Sequence, residues 1–264
     1  IQKLIEAEVN HADETSINID GARHWLHCVS NSCLTYLYPH NLRGTGAMES
    51  GGVIPLFKGI LCHDHWKPYY SYSCTHTLCN AHHLRELERA SEQDNQKWAR
   101  KMQHLLLKIN TAVDQAGGKL SPEESKKFRK NYRKIINEGE IECPAPIRPE
   151  GEKKRGRLKR SKPRNLLERL KNFEEDVLRF MDSEVVPFTN NQGERDLRMA
   201  KVHQKIAGCF RSPEGSNFFC RIRSYISTCR KQGISANEAL MLLFLGKYPD
   251  FVMADVNCST NHPD

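Results

Sequence analysis

The run Ile17-Asn18-Ile19-Asp20-Gly21-Ala22-Arg23-His24-Trp25-Leu26-His27-Cys28-Val29 decides the fold. Two β-prone segments, Ile17–Ile19 and His24–Val29, flank Asp20-Gly21, a dipeptide suited to a type I′ turn because both central residues need positive φ. A hairpin is predicted there. Upstream, Val9 to Glu14 reads as a short strand ending in two acids, Asp13 and Glu14. Downstream, the polar turn Ser30-Asn31-Ser32 leads into a third strand, Leu34–Tyr38. The stretch Gly44–Gly52 is turn-rich, with room for one helical turn. Ile60-Leu61-Cys62-His63 is then a short apolar-leaning run, of the kind buried in a parallel sheet, and it ends on Asp64. Three antiparallel strands, a crossover and a fourth strand make a mixed α/β sheet.

Beyond Asn80 the hydrophobic period becomes helical. Trp98, Met102, Leu105, Ile109 and Val113 form one apolar stripe. Ser121-Pro122-Glu123-Glu124 opens another helix with a capping box and Pro at its first position; its apolar face is Phe128, Tyr132, Ile135 and Ile136. The Pro-rich stretch Cys143–Pro149 cannot continue that helix. Lys153–Arg164 carries eight basic residues and no acid, is interrupted by Gly156 and Pro163, and is read as an exposed, mobile arm. The helical pattern resumes over Leu166–Phe180, and a turn at Val186–Asn191 precedes a helix from Gln192 to Ile206. Ser212-Pro213 opens the next helix, with Phe218, Ile222, Tyr225, Ile226 and Cys229 on one face. Ser235–Glu238 starts a last helix to Leu245, and residues 248–264 are expected to be a disordered tail.

Of the 264 residues, 38% are hydrophobic and 27% charged, enough apolar material for a core, which excludes wholesale disorder. The longest purely apolar run, Ala239–Leu245, falls far short of the ~20 residues that span a bilayer, so no membrane partner is expected. The opening residues lack a signal peptide, and a chain that begins with Ile1 reads as a piece of a longer protein. Lys and Arg total 40 against 32 Asp and Glu, while residues 1–120 hold 12 of each sign, so the whole net charge of +8 lies beyond them. Segregated positive charge fits a polyanion, most commonly nucleic acid; a solubilising surface is the plainer alternative. None of the ten cysteines forms a C-x-x-C pair, and all read as reduced, buried, small hydrophobes of a cytosolic protein.

Three acids are candidates for chemistry. Asp13 and Asp64 each end a strand, and carboxylates at the ends of adjacent strands repel one another unless a divalent cation, with its preference for hard oxygen ligands, lies between them. The plainer reading of each is a turn-former or helix cap. The third is Glu194 in Asn190-Asn191-Gln192-Gly193-Glu194-Arg195-Asp196-Leu197-Arg198. Asn190 or Asn191 can cap that helix, which puts Glu194 in its first turn, where the dipole favours a carboxylate. Arg198, Lys201 and Lys205 follow it on one face, as suits a metal site beside a phosphate backbone. An ordinary Glu–Arg pair at i,i+4 is the alternative. A zinc module from Cys74, Cys79, His82, His83 and His63 or His76 is a further possibility, although its spacing does not match the commoner structural zinc sites.

The sequence resembles the catalytic part of the transposases of insertion sequence 66, a bacterial DDE family. The matching stretches are His11-Ala12-Asp13-Glu14-Thr15, His24-Trp25-Leu26-His27, His63-Asp64-His65-Trp66-Lys67-Pro68-Tyr69 and Cys79-Asn80-Ala81-His82-His83-Leu84-Arg85-Glu86-Leu87. Asn190–Arg198 and Gly208-Cys209-Phe210-Arg211-Ser212 continue them, in the family's order, over roughly residues 9 to 245. The family often has Gly where Ser16 and His65 stand, and Ala where Gly193 stands.

The resemblance implies a ribonuclease H-like fold in which Asp13, Asp64 and Glu194 are the metal-binding acids for two Mg²⁺ or Mn²⁺ ions. It implies hydrolysis and strand transfer at the ends of an insertion sequence, with a homodimer or larger assembly on DNA in the bacterial cytoplasm, associated with the nucleoid. Residues 1–83 would begin the catalytic core, 84–185 would be a helical insertion carrying the arm, and 186–247 would complete the core. Cys79 and His82 are similar to a C-x-x-H pattern of several DDE groups and take a supporting role. Phosphate contacts are expected from Lys153, Lys154, Arg155, Arg157, Lys159 and Arg160 of the arm, and from Arg198, Lys201 and Lys205. A catalytically inactive or domesticated DNA-binding protein, or a metal-dependent nuclease without strand transfer, are the alternatives.

Overall fold

Eleven residues, Val9–Ile19, form one continuous strand, β1. The expected short strand ending at Glu14 is therefore corrected: Asp13 sits in mid-strand. The Asp-Glu pair is no stop signal because Glu14 is buried against partners of its own, and Thr15 and Ser16 tolerate extended backbone. The turn that follows has Asp20 at φ 49° and Gly21 at φ 79°, the double positive φ of the expected hairpin. β2 (Ala22–Ser30) returns antiparallel, with Asp13 directly opposite Cys28, and β3 (Thr35–His40) pairs antiparallel with β2. The computed structural model describes residues 1–147 and 158–252.

Before β1 comes a single turn, α1 (Gln2–Ile5), and after β3 comes α2 (Thr45–Gly51), closed by Gly52 at φ 69°. The fourth strand, β4 (Ile60–His63), pairs parallel to β1 with Val9 opposite Ile60 and His11 opposite Cys62. A short edge strand, β5 (Thr75–Leu78), completes a five-stranded mixed sheet of order β3-β2-β1-β4-β5. β5 has too few residues to give a readable period, and the sequence gives no sign of it.

The chain divides into two compact units, Ile1–His76 with the chain from Asn190 onward, and Thr77–Thr189. The second unit is helical: α3 (Asn80–Glu92), α4 (Lys97–Gln115), α5 (Pro122–Glu142), α6 (Lys162–Asn172) and α7 (Glu174–Leu178). Its core buries the expected stripe of α4 together with Tyr132, Ile136, Leu166, Leu167 and Leu170. The capping box at Ser121 is present in full. The arm is shorter than expected at its far end: Ser161 caps α6, and Arg164 is buried, donating to Glu140, Glu168 and the Cys143 carbonyl. Lys153, Lys154, Arg155 and Arg157 lie outside the described residues.

The first unit resumes with α8 (Asn191–Ala207), α9 (Pro213–Lys231) and α10 (Ala236–Phe244). Alternation along β1 sends Ile17 and Ile19 to one face of the sheet, where Leu26, Cys28, Leu37, Leu197, Ala200, Phe210 and Cys220 complete a core under α8 and α9. Ala12 faces the other side, with Met48, Phe57, Leu61 and Tyr69. Ser212 and Ser235 cap their helices as expected. The inward face of α9 differs from expectation: Cys220, Ile226 and Cys229 are buried, while Phe218 and Ile222 are exposed. Short hydroxyl side chains at Ser224, Ser227 and Thr228 hydrogen-bond β3 instead, so a polar contact and not the bulkiest residues sets the helix's rotation. In the expected tail, Asp250–Val252 form a 3₁₀ turn. Eight described cysteines are free, and seven of them are buried.

Candidate active site

The parallel register of β1 and β4, continued two residues past the last pair, sets Asp13 opposite Asp64. Asp64 lies one residue beyond β4 and accepts from the Trp66 amide through Oδ1 (3.0 Å). Asp13 accepts from the Glu14 amide through Oδ1 (2.9 Å). Burial pushes the Asp13 carboxyl up to about 7, the negative charges of Glu14 and Asp64 add to the rise, and Lys201 opposes it. Burial and two acidic neighbours thus make it harder for Asp13 to ionise, and a nearby cation would offset both.

Glu14, next along β1, points to the opposite face. Arg43 donates to its Oε1 from Nε (2.9 Å) and Nη2 (2.7 Å), and the Tyr69 hydroxyl donates to Oε2 (2.5 Å). Burial still raises the Glu14 carboxyl, which Tyr69 and Arg43 only partly offset. The Arg43 guanidinium lies over both Trp25 (4.7 Å) and Trp66 (4.3 Å). Tyr69 and Trp66 both belong to the segment just after Asp64, so this clamp fixes the Asp64 loop against β1. The signal was in the sequence, as the second acid of Asp13-Glu14, but which partner it would find was not.

His65 has φ 72°, the left-handed region that disfavours any residue with a Cβ. Its ring pairs with the Tyr70 hydroxyl (2.9 Å). The Gly often found at this position in the resembling family has a direct backbone reason. His65→Gly and His65→Ala both remove the imidazole, and differ only by a Cβ at positive φ. The Gly variant should be the more stable by about 1 kcal/mol. Urea midpoints of the two variants measure the difference, and equal midpoints would contradict the strain.

The third acid arrives on α8. Asn190 is the N-cap residue, but its side chain makes no capping bond, contrary to expectation. It reaches across to β1: Nδ2 donates to the Ala12 carbonyl (2.9 Å) and Oδ1 meets His11 Nδ1 (2.7 Å). Gly193 then packs so closely that a Cβ there would lie 3.2 Å from Asp13 Cβ and 3.2 Å from Asn190 Oδ1. The start of α8, with Glu194 one residue on, is thereby pressed against the strand position that carries Asp13. Ala at position 193 would need these neighbours to give by a few tenths of an ångström.

Further along α8, Asp196 is locked inside. Lys231 Nζ donates to its Oδ2 (2.7 Å) and also to the Asn31 (2.8 Å) and Leu34 (3.0 Å) carbonyls, while Ser227 donates to Oδ1 (3.1 Å). Arg198, Lys201 and Lys205 are exposed on the same face as Glu194. Phe210, from the Gly208–Ser212 motif, bridges the tip of β1, its amide donating to the Asn18 carbonyl (2.8 Å) while its carbonyl accepts from the Asp20 amide (2.8 Å). That motif therefore has a structural use.

Of the remaining candidates, Lys159 is exposed, whereas Arg160 is ion-paired with Glu168. Cys79 is buried at the N-cap of α3 and His82 is half-buried in its first turn, both in the second unit. Three histidines of the zinc alternative are engaged otherwise: His83 pairs with Asn80 (3.0 Å) and His63 with His76 (3.1 Å).

The model of the IS66 transposase family matches residues 1–217. A comparison with curated proteins finds none that matches. Among the described residues, no helix is long and apolar enough to cross a membrane.

Proposed function

The chain belongs to the IS66 transposase family, and from that premise we propose that Asp13, Asp64 and Glu194 are its catalytic acids, cutting and rejoining DNA at the ends of an insertion sequence. The observation that carries this reading is the register setting Asp13 opposite Asp64, with the Asp13 carboxyl raised to about 7 beside its acidic neighbours. Gly193 packed on Asp13 supports Glu194 as the third member. The strand order β3-β2-β1-β4-β5, antiparallel over the first three and parallel at β1 and β4, supports a ribonuclease H-like core.

The family implies a divalent metal, and three carboxylates are a hard-oxygen donor set that suits Mg²⁺ or Mn²⁺. Two such ions, when bound, would activate a water or a DNA 3′-hydroxyl and stabilise the oxygen that departs from the phosphodiester. Asp13 would hold such an ion in its ionised form, which Lys201 favours. The Glu14–Arg43–Tyr69 clamp keeps the Asp64 loop from drifting away from β1 as the charge changes. Exposed Arg198, Lys201 and Lys205 take phosphates, which orients the backbone without reading its sequence. Lys159, with Lys153, Lys154, Arg155 and Arg157, adds to that contact. Pairing two element ends calls for a dimer or larger assembly on DNA, in the cytoplasm at the nucleoid.

The test is an end-joining assay. A duplex with a pre-cut 3′-hydroxyl element end, a supercoiled target and Mn²⁺ should give joined product. Hydrolysis without joining would make the protein a nuclease, and binding without either reaction would make it an inactive DNA-binding protein.

A further inference from the structure

The helix α5 carries Lys126, Lys127, Arg129, Lys130, Arg133 and Lys134, with no acid between Ser125 and Asn137. These cations divide into two sets. Arg129 is tied within its own unit to Glu174, Glu175 and Asp182, and Arg133 to Glu174. The four lysines are exposed and make no ion pair among the described residues. The opposite side of α5 is anchored: Tyr132 is buried and donates to the Leu170 carbonyl (2.8 Å), and Gly139 admits Leu167 so closely that a Cβ would meet its Cδ1 at 2.7 Å. The lysine face is thus held outward by a helix that cannot rotate.

This face lines an open groove of about 1110 Å³ to which Lys126, Lys127, Lys130 and Lys134 all contribute. Lys126, Lys130 and Lys134 recur every four residues, one above another at intervals of about 6 Å. Acids of the same unit hold the arginines in ion pairs, whereas the lysines keep only looser electrostatic contact, Lys127 with Glu124 and Lys134 with Glu138. Lysine acts as a point charge and arginine as a bidentate fork, so a surface that exposes the former and ties up the latter suits phosphate without base readout.

We infer that the lysine face of α5 is a second docking surface for the sugar–phosphate backbone of duplex DNA, carried by the helical unit and additional to the basic face of α8. The inference rests on the transposase reading for its choice of polyanion. It assigns the helical unit a task of its own, which is to hold flanking or target duplex irrespective of sequence.

The experiment titrates the full chain with a fluorescent 30-base-pair duplex of arbitrary sequence at several salt concentrations. The triple variant Lys126→Ala, Lys130→Ala, Lys134→Ala should lower the steepness of log affinity against log salt by about 3, near 1 per lost phosphate contact. A control removing Lys97, Lys108 and Lys119, exposed in the same unit, should leave the slope within about 1 of the wild type. An unchanged slope in the triple variant, or the same change in both, overturns the inference while leaving the catalytic reading intact. Absence of duplex binding by the wild type would overturn both. If the triple variant instead loses binding of polyglutamate and keeps its duplex slope, the face serves an acidic polypeptide and the inference falls. Thermal melting verifies folding, and Lys→Gln at the three positions replaces Ala should the first variant melt early.

Discussion

Asp64→Asn should abolish metal-dependent cutting of DNA while leaving duplex affinity within about twofold. The amide is nearly isosteric and its oxygen can keep the bond from the Trp66 amide, so the loop after β4 stays in place. What disappears is one of the negative charges that raise Asp13, and with it an oxygen donor of the proposed metal site. Loss of several kcal/mol of transition-state stabilisation from a misassembled metal centre corresponds to about 10³-fold or more in rate. The phosphate contacts proposed for Arg198, Lys201 and Lys205 are untouched. Without metal, relief of like-charge repulsion should hold the melting temperature at or above that of the wild type, the usual trade of stability for function at such sites. Cleavage of a labelled duplex in Mn²⁺, run beside anisotropy binding, separates the two effects. Equal loss of both would remove Asp64 from the catalytic role.

Asp196→Ala should cost about 3–5 kcal/mol of stability, the largest effect expected from a single substitution outside the apolar core. The Asp196 side chain is 5% exposed and that of Lys231 12%, so the truncation strands a charge that water cannot reach well. Burial already lowers the Lys231 ammonium below its ordinary value, with Asp196 opposing the fall. The carbonyls of Asn31 and Leu34 would still accept from Lys231, but they carry no compensating charge. Pairing Asp196→Ala with Lys231→Met should recover much of the loss, because the double variant leaves no buried ion behind. Urea denaturation of the three proteins measures this. A single variant within about 1 kcal/mol of the wild type would mean that the pair is solvated in solution.

Asp196 and Glu194 show why neighbours in one motif differ in kind. Glu194 and Asp196 are both acids in the first turns of α8, and neither composition nor spacing separates them. The helix turns about 200° between them, so Glu194 shares its face with the exposed basic stripe while Asp196 meets Lys231. Asn190 is a comparable case. Its residue type fits a helix cap, yet the side chain spends its hydrogen bonds on β1, because the strand offers the Ala12 carbonyl and His11 at the point where the chain re-enters the first unit.

Elements whose signals are local are legible in the residues alone. The Asp20-Gly21 hairpin, the stripe of α4, the capping box at Ser121 and the capped starts of α9 and α10 depend on residues within a few positions of one another, and local steric and hydrogen-bond preferences suffice for them. The motifs were also enough to indicate the transposase family. Other features follow from contacts made on folding: β1 runs through Asp13, Glu14 is clamped by Arg43 and Tyr69, Arg160 and Arg164 are ion-paired with acids while the lysines of α5 are not, and α9 turns Phe218 and Ile222 outward. In each case the deciding partner lies far away in the chain. A buried charge or a hydrogen-bonding side chain takes its place from whichever group is there to pair with it.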